Sequence, residues 1–242
     1  MERVFGINAV AARLAAGKSG VQRLWIKQGK LSSRIQALVD EASSLGIGIE
    51  RVEADVLDAM TDISHQGIAL GVDSLKALDE GYLSELLDQL PGDVLLLVLD
   101  GVTDPRNLGA CLRSAATMGV HGVIVPKDNS AGLTEAAIKT ASGAASIVPL
   151  IEVVNLARCL EGLQRRNVWT VGTLLEADKR LDEVPLTGHI AIVMGSEERG
   201  LRNNTIKHCD FLATIPMIND TLGFNVSVAA GICLYEAVRQ RR

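Results

Sequence analysis

The stretch Val94-Leu95-Leu96-Leu97-Val98-Leu99-Asp100-Gly101-Val102-Thr103-Asp104-Pro105-Arg106-Asn107-Leu108-Gly109 decides the fold of the larger part of the chain. Its six consecutive aliphatic residues, 94–99, make a strand with no polar face. A strand of that kind needs cover on both sides, as in a parallel sheet flanked by helices. Gly101 and Pro105 end it, and residues 107–118 follow with the pattern of a helix. Downstream come a strand at 122–125, a helix at 133–140, strands at 147–153, 168–173, 190–194 and 211–215, and a long helix from about residue 225 to 239. Strand alternating with helix predicts an α/β domain with a parallel sheet over residues 93–242. Ligands of such sheets gather at the carboxyl ends of the strands, which singles out the loops after Leu99, Met194 and Ile215.

Upstream, the elements are shorter. A helix at 6–16, a strand at 23–27, a helix at 31–44 and strands at 47–52 and 68–72 make a small α/β unit over residues 1–75. Residues 73–92 are acidic, with a short helix at 82–90 closed by Pro91-Gly92, so residues 76–92 read as a linker.

Of the 242 residues, 48% are hydrophobic and 22% charged, the balance of a globular chain and not of a disordered one. No apolar run approaches the ~20 residues of a membrane-spanning helix, and the first residues lack the basic start and apolar stretch of a signal peptide. Cys111, Cys159, Cys209 and Cys233 lie far apart, which suits reduced thiols in a cytoplasmic protein. The four histidines are scattered, so no metal is expected. The net charge of −5 hides an asymmetry. Residues 1–36 hold seven basic residues and one acid, whereas 37–100 hold two and fourteen. A basic block on an acidic protein suits local phosphate contact, and an ordinary solvated face accounts for it equally. With seven aromatics in the whole chain, a stacking platform for single strands is not expected.

The three selected loops are unusual. After the first strand, Asn107 stands six residues before Arg113, with Gly109 leaving open backbone beside it. A helix capped by Asn107 with a surface arginine would read the same way. The second loop is Gly195-Ser196-Glu197-Glu198-Arg199-Gly200, two glycines around two carboxylates. The third runs from Pro216 through Gly223-Phe224-Asn225-Val226-Ser227 into a helix capped by Asn225 or Ser227. No dinucleotide Gly-x-Gly-x-x-Gly, phosphate-binding Gly-x-x-x-x-Gly-Lys or Gly-x-Ser-x-Gly elbow is present.

In this order, Asn107-x-Gly109-x-x-x-Arg113, Gly195-Ser196-Glu197-x-x-Gly200 and Pro216 through Asn225-Val226-Ser227 resemble the three motifs of the SpoU (TrmH-like) branch of the SPOUT RNA methyltransferases. Gly6-Ile7-Asn8-Ala9-Val10 and His65-Gln66-Gly67-Ile68 are similar to the N-terminal RNA-binding domain of its larger members. Residues 100–105, 123–128 and 236–240 look like those members that act on a guanosine of 23S ribosomal RNA. The resemblance implies a deep trefoil knot in the C-terminal half, a homodimer, and S-adenosylmethionine as methyl donor for a ribose 2′-oxygen. It implies Arg113 as the catalytic arginine, Asn107 positioning it or a substrate phosphate, and Glu197 and Asn225 completing the polar site. Gly195, Ile215, Phe224 and Thr173 would line the cofactor pocket.

The third motif departs from the family pattern, with Gly223-Phe224-Asn225 where Ser-Leu-Asn is usual. A hydroxyl thought to help the arginine is thereby missing. Two alternatives stand beside ribosomal RNA methylation: a transfer RNA 2′-O-methyltransferase, and a catalytically weak RNA-binding or ribosome-assembly protein. Arginine is a poor general base, so the ribose proton leaves to a phosphate oxygen, to water or to a briefly neutral arginine.

Overall fold

The structure is a computed structural model, and it describes residues 2–242 apart from 16, 19, 74 and 220–222. The chain divides into two compact units, Met1–Leu75 and Lys76–Arg242.

The first unit is built from β1 (Glu2–Phe5), α1 (Ile7–Ala15), β2 (Val21–Lys27), α2 (Ser33–Ser44), β3 (Gly48–Val52), α3 (Ala54–Asp58) and β4 (Ile68–Val72). Its sheet runs β1-β4-β2-β3, with β4 antiparallel to both neighbours and β2 parallel to β3. Strand alternation sorts its side chains. Leu24, Ile26, Ile68 and Leu70 share a core with Val10, Leu14, Ile35 and Leu38 of the two longer helices. Trp25 and Ala69 face the other way and pack with Val52 and Leu57. Strand β1 and helix α3 were not expected from the sequence, being only four and five residues long.

The second unit comprises α4 (Glu80–Gln89), β5 (Leu95–Asp100), α5 (Pro105–Thr117), β6 (Gly122–Pro126), α6 (Glu135–Ala141), β7 (Leu150–Val153), α7 (Leu156–Arg165), β8 (Trp169–Leu174), β9 (Lys179–Arg180), β10 (Ile190–Gly195), α8 (Asn203–Ile206), β11 (Phe211–Thr214) and α9 (Val226–Gln240). Its seven strands lie in the order β7-β6-β5-β10-β8-β11-β9, and every pairing is parallel. The expected parallel sheet is therefore present, with the aliphatic run at its centre. Leu96 and Val98 join a core with Val193, Leu160 and Leu163, while Leu95, Leu97 and Leu99 are equally buried on the opposite face. Helix α5 packs against α6 and α9.

Two readings change. Residues 76–92, expected to be a linker, are folded into this unit. Leu78 bonds to β7 on either side of Ile151, along the edge away from β6 (its N–H to Leu150 O at 2.8 Å, and Glu152 N–H to its carbonyl at 2.7 Å), and Leu83 is buried in the core. The acidic composition of the segment belongs to the outer face of α4 and conceals an apolar inner one. Helix α7 also lies where no helix was expected. Its signature is legible in retrospect: Asn155 caps it, and Leu156, Cys159, Leu160 and Leu163 recur at helical spacing on its buried side.

Candidate active site

Strands β5 and β10 are neighbours, and the last residues of each, Asp100 and Gly195, are register partners. β6 and β7 extend the sheet on one side of this pair, and β8, β11 and β9 on the other. This is where the direction of winding switches, the place such sheets open a crevice.

Asp100 is buried and ties the second loop down. One of its oxygens accepts the Arg202 N–H at 3.1 Å and the Thr205 hydroxyl at 2.6 Å, and the other accepts the Arg202 Nε at 2.6 Å. Neither Asp100, Arg202 nor Thr205 was among the expected site residues. The only local signal is a carboxylate closing an otherwise aliphatic strand, since its partners lie more than 100 residues away.

Helix α5 begins earlier than expected. Asp104, not Asn107, is its cap, accepting the Arg106 N–H at 2.8 Å, with Pro105 at the first turn. Proline has a helical φ and no N–H to satisfy, so it starts the helix two residues upstream. Gly109 is not open backbone either. A Cβ there would lie 2.4 Å from Ala137 O and 2.7 Å from Thr140 Cβ, so this glycine lets α6 pack closely onto α5.

After β10 the chain folds back on itself. Ser196 and Gly200 exchange backbone hydrogen bonds of 3.1 and 2.8 Å, and Gly200 holds a left-handed φ of 63°. At Gly195 a Cβ would lie 2.0 Å from the Gly200 carbonyl carbon, so no larger residue fits. The loop so formed delivers Glu197 to the start of α9.

There three expected residues meet. Asn225 caps α9 as expected, its Oδ1 accepting the Ser227 N–H at 3.0 Å and the Ser227 hydroxyl at 2.6 Å. Its amide nitrogen donates to Asn107 Oδ1 at 3.0 Å and also to Glu197 Oε1. Glu197 Oε1 further accepts the Val226 N–H at 3.2 Å. A carboxylate on the first N–H groups of a long helix is favourable for charge as well as for hydrogen bonding, by about 0.3–1 kcal/mol. Asn225 is thus the hinge pin between all three motifs.

Beside this network lies a cavity of about 780 Å³. Thr173, Gly195, Ile215 and Phe224 line it together with Glu197 and Asn225. Thr173 is itself held by a 3.2 Å bond to Val193 O. Phe224 is 44% exposed, so its ring is available to a ligand. Leu222 and the two residues before it in the third motif lie outside the described residues. Asn107 touches the cavity only through Asn225. Arg113 is not brought to it: the side chain is exposed on α5, without a hydrogen bond or ion pair among the described residues. The thiols offer no alternative chemistry. Burial pushes all four up to about 12, with Glu197 adding to the effect at Cys111. Among the described residues no three His, Cys, Asp or Glu side chains are grouped to hold a metal, and no helix is long and apolar enough to cross a membrane.

A parallel α/β sheet with a polar network and a cavity at its switch point, assembled from these three motifs, defines an RNA-methylase-type domain. The chain belongs to the SpoU rRNA methylase family, whose profile matches residues 94–235. Residues 3–78 match a second profile, RNA 2′-O ribose methyltransferase substrate binding. The chain is 47% identical over 241 residues to the 23S rRNA (guanosine-2′-O-)-methyltransferase RlmB of Pseudomonas syringae pv. tomato, covering 100% of this chain and 96% of that one. It is 48% identical over 241 residues to RlmB of Escherichia coli K12, covering 99% of each. Among solved structures it resembles the SpoU methyltransferase AviRb from Streptomyces viridochromogenes, crystallised with AdoMet. The TM-score is 0.77 at 24% identity over 98% of this chain and 89% of that one, a likeness of fold.

Proposed function

We propose that this protein transfers the methyl group of S-adenosylmethionine to the ribose 2′-oxygen of a guanosine in 23S ribosomal RNA. The observation that carries it is the end-to-end likeness, near half identity through both units, to enzymes named for that reaction. The cavity fits the donor: its volume suits a nucleoside with an amino-acid tail, and its walls combine aliphatic and aromatic side chains with backbone groups at strand ends.

When bound, S-adenosylmethionine supplies an activated methyl on a sulfonium. The chain's own residues hold and align. Thr173, Gly195, Ile215 and Phe224 form the cofactor wall, and Glu197 and Asn225 fix the mouth of the cavity. Glu197 acts as a positioning residue, because one of its oxygens is committed to Asn225 and to the first turn of α9. Asn107 is oriented by Asn225 toward the acceptor strand. Arg113 is the catalytic residue, its fixed positive charge favouring the alkoxide that develops on the ribose. Alignment of acceptor oxygen, methyl and leaving sulfur supplies most of the advantage in such an in-line step.

Residues 1–75 serve as the RNA-binding unit and 76–242 as the methyltransferase unit. A deep trefoil knot in the C-terminal half belongs to this reading on the strength of the family likeness. A homodimer is supported by the exposed Val228 and Tyr235, seven residues apart on the face of α9. Four unpaired cysteines suit the cytoplasm, where ribosomal RNA is modified.

Labelled methyl transfer to 23S ribosomal RNA and to transfer RNA, followed by mapping of the nucleotide, tests the reaction. Label in a 23S guanosine is expected, and label in transfer RNA alone overturns it. Arg113→Ala should abolish transfer and leave S-adenosylmethionine affinity within about twofold; an active variant removes Arg113 from its role.

A further inference from the structure

Two stretches remain unused by the methyl-transfer site, Gly6-Ile7-Asn8 and His65-Gln66-Gly67-Ile68. The fold brings them together. Gln66 Oε1 accepts the Ile7 N–H at 2.9 Å, and a Cβ on Gly6 would lie 3.4 Å from the same oxygen. Gly6, Gln66 and Gly67 all have left-handed backbone, with φ of 89°, 52° and 80°. For glutamine that conformation is uncommon, and it persists only where neighbours enforce it. His65 does the enforcing. Its Nδ1 accepts the Gly67 N–H at 2.9 Å, so the ring proton sits on Nε2 and is donated to Asp58 Oδ1 at 2.9 Å. Every polar atom of that imidazole is spent on holding the turn.

The turn forms one wall of a cleft of about 910 Å³ contained wholly within the first unit. Ile7, Leu31 and Ile35 give it an apolar side, and Lys27 and Lys30 stand on its rim. Both lysines are exposed and have no ion pair among the described residues. Of the two acids there, Asp58 is engaged by His65, which leaves Asp62 against two lysines. The Gln66 amide nitrogen, whose companion oxygen caps α1, has no hydrogen bond among the described residues and is free to donate.

An open cleft with one apolar side, one amide donor and a cationic rim matches the parts of a nucleotide: a base face, a base edge and a phosphate. A paired base in an A-form helix has no face to lay against that apolar side, whereas an unstacked one does. We propose that this cleft binds one unpaired nucleotide of the RNA, its base against Ile7, Leu31 and Ile35, its edge at Gln66, and its phosphates on Lys27 and Lys30. This rests on the RNA-methyltransferase reading and gives its substrate a single-stranded feature recognised away from the reacting ribose. Aliphatic walls do here what an aromatic platform does elsewhere, in a chain with seven aromatics.

The test uses the full chain and a labelled mixed-sequence single-stranded RNA of 12 nucleotides, with the same sequence as a duplex, followed by fluorescence anisotropy. Gln66→Glu keeps the oxygen that caps α1 while removing the amide donor. Lys27→Ala with Lys30→Ala removes the rim charge at exposed positions. Gln66→Glu should weaken single-strand binding about fivefold and duplex binding less than twofold, with an unchanged melting temperature. The double lysine variant should weaken single-strand binding about tenfold and flatten its salt slope by about 1.4, at roughly 0.7 per phosphate. If Gln66→Glu lowers the melting temperature, the lysine pair decides the matter. Single-strand affinity within twofold of the unmodified protein, or equal losses for single strand and duplex, overturns the proposal. Methyl transfer by the unmodified protein to 23S ribosomal RNA is measured alongside, so failure of the cleft and failure of the methyltransferase reading give separate results.

Discussion

Replacing Asp100 with Asn should loosen the second motif without altering any residue that lines the cavity. The Asp100 side chain is fully buried, and its two oxygens take the backbone N–H and guanidinium of Arg202 and the hydroxyl of Thr205. Asparagine has the same shape but one acceptor. Whichever way its amide turns, the NH2 group faces another donor. Hydrogen bonds to a charged acceptor contribute about 1.5–3 kcal/mol each, and breaking a fully buried pair costs about 3–5. Arg202 is 50% exposed and can turn to water, which reduces the loss. A net cost of about 2–3 kcal/mol follows. For a unit of this size each kcal/mol moves the melting temperature by roughly 2–4 °C, so a fall of about 4–12 °C is expected. Thr205→Val removes a single bond and should cost about 1 kcal/mol. Because Arg202 anchors the loop that carries Gly195 to Gly200, calorimetry should also show weaker S-adenosylmethionine binding by Asp100→Asn. A melting temperature within about 1 °C of the unmodified protein, together with unchanged affinity, would refute the idea that this carboxylate organises the site.

Gly109→Ala should destabilise the protein by more than about 2 kcal/mol in urea denaturation, although alanine is the better helix former, because its Cβ would strike Ala137 O and Thr140. The four thiols should resist a thiol reagent at pH 8 in the native state and all react after denaturation, since burial holds them near 12. Their folded values lie above the ordinary value of 9, so their contribution to stability is complete below pH 9 and is lost as pH rises toward 12; stability that stays flat across that window would contradict this burial. Gly223→Ser should raise the turnover rate, because among the described residues a Cβ there meets only Leu175, at 3.3 Å, and the added hydroxyl restores the usual motif; a slower, stably folded variant would show that this third motif has its own geometry.

The central sheet was legible because β5 is an unbroken aliphatic run, which only a strand covered on both faces explains. The loops in which to look followed from strand order, and the candidate residues from the resemblance; Thr173, Gly195, Ile215, Phe224, Glu197 and Asn225 line one cavity, whereas Asn107 and Arg113 do not. What stayed hidden has two physical causes. One is local competition: Asp104-Pro105 outcompetes Asn107 as a helix start, and α4 hides an apolar face within an acidic segment. The other is distance along the chain. Asp100 meets Arg202 and Thr205 across more than 100 residues, and Gly109 is a glycine because of a helix that begins at residue 135. No periodicity or spacing rule carries information of that range.

The charge of the N-terminal block shows the same gap between composition and structure. Of its seven basic residues, three are committed within the first unit. Arg23 pairs with Glu50 at 2.7 Å, Arg3 lies 5.9 Å from the centre of the Trp25 ring, and Arg13 is buried with a 3.0 Å bond to Gly17 O. Burial lowers the Arg13 pKa, Asp73 opposing the effect, so that guanidinium is part of the fold rather than a surface charge. Lys18, Lys27, Lys30 and Arg34 are exposed and have no ion pair among the described residues. Those four, not all seven, are available for phosphate. Alanine at Arg23 or Arg3 should therefore leave the salt dependence of RNA binding unchanged. Alanine at any of the four should reduce the slope by about 0.7 for each phosphate of a single strand that it no longer neutralises. A slope that responds to Arg23 and Arg3 as strongly as to Lys27 would mean that RNA displaces Glu50 and Trp25 from their partners, and that the block acts by its total charge after all.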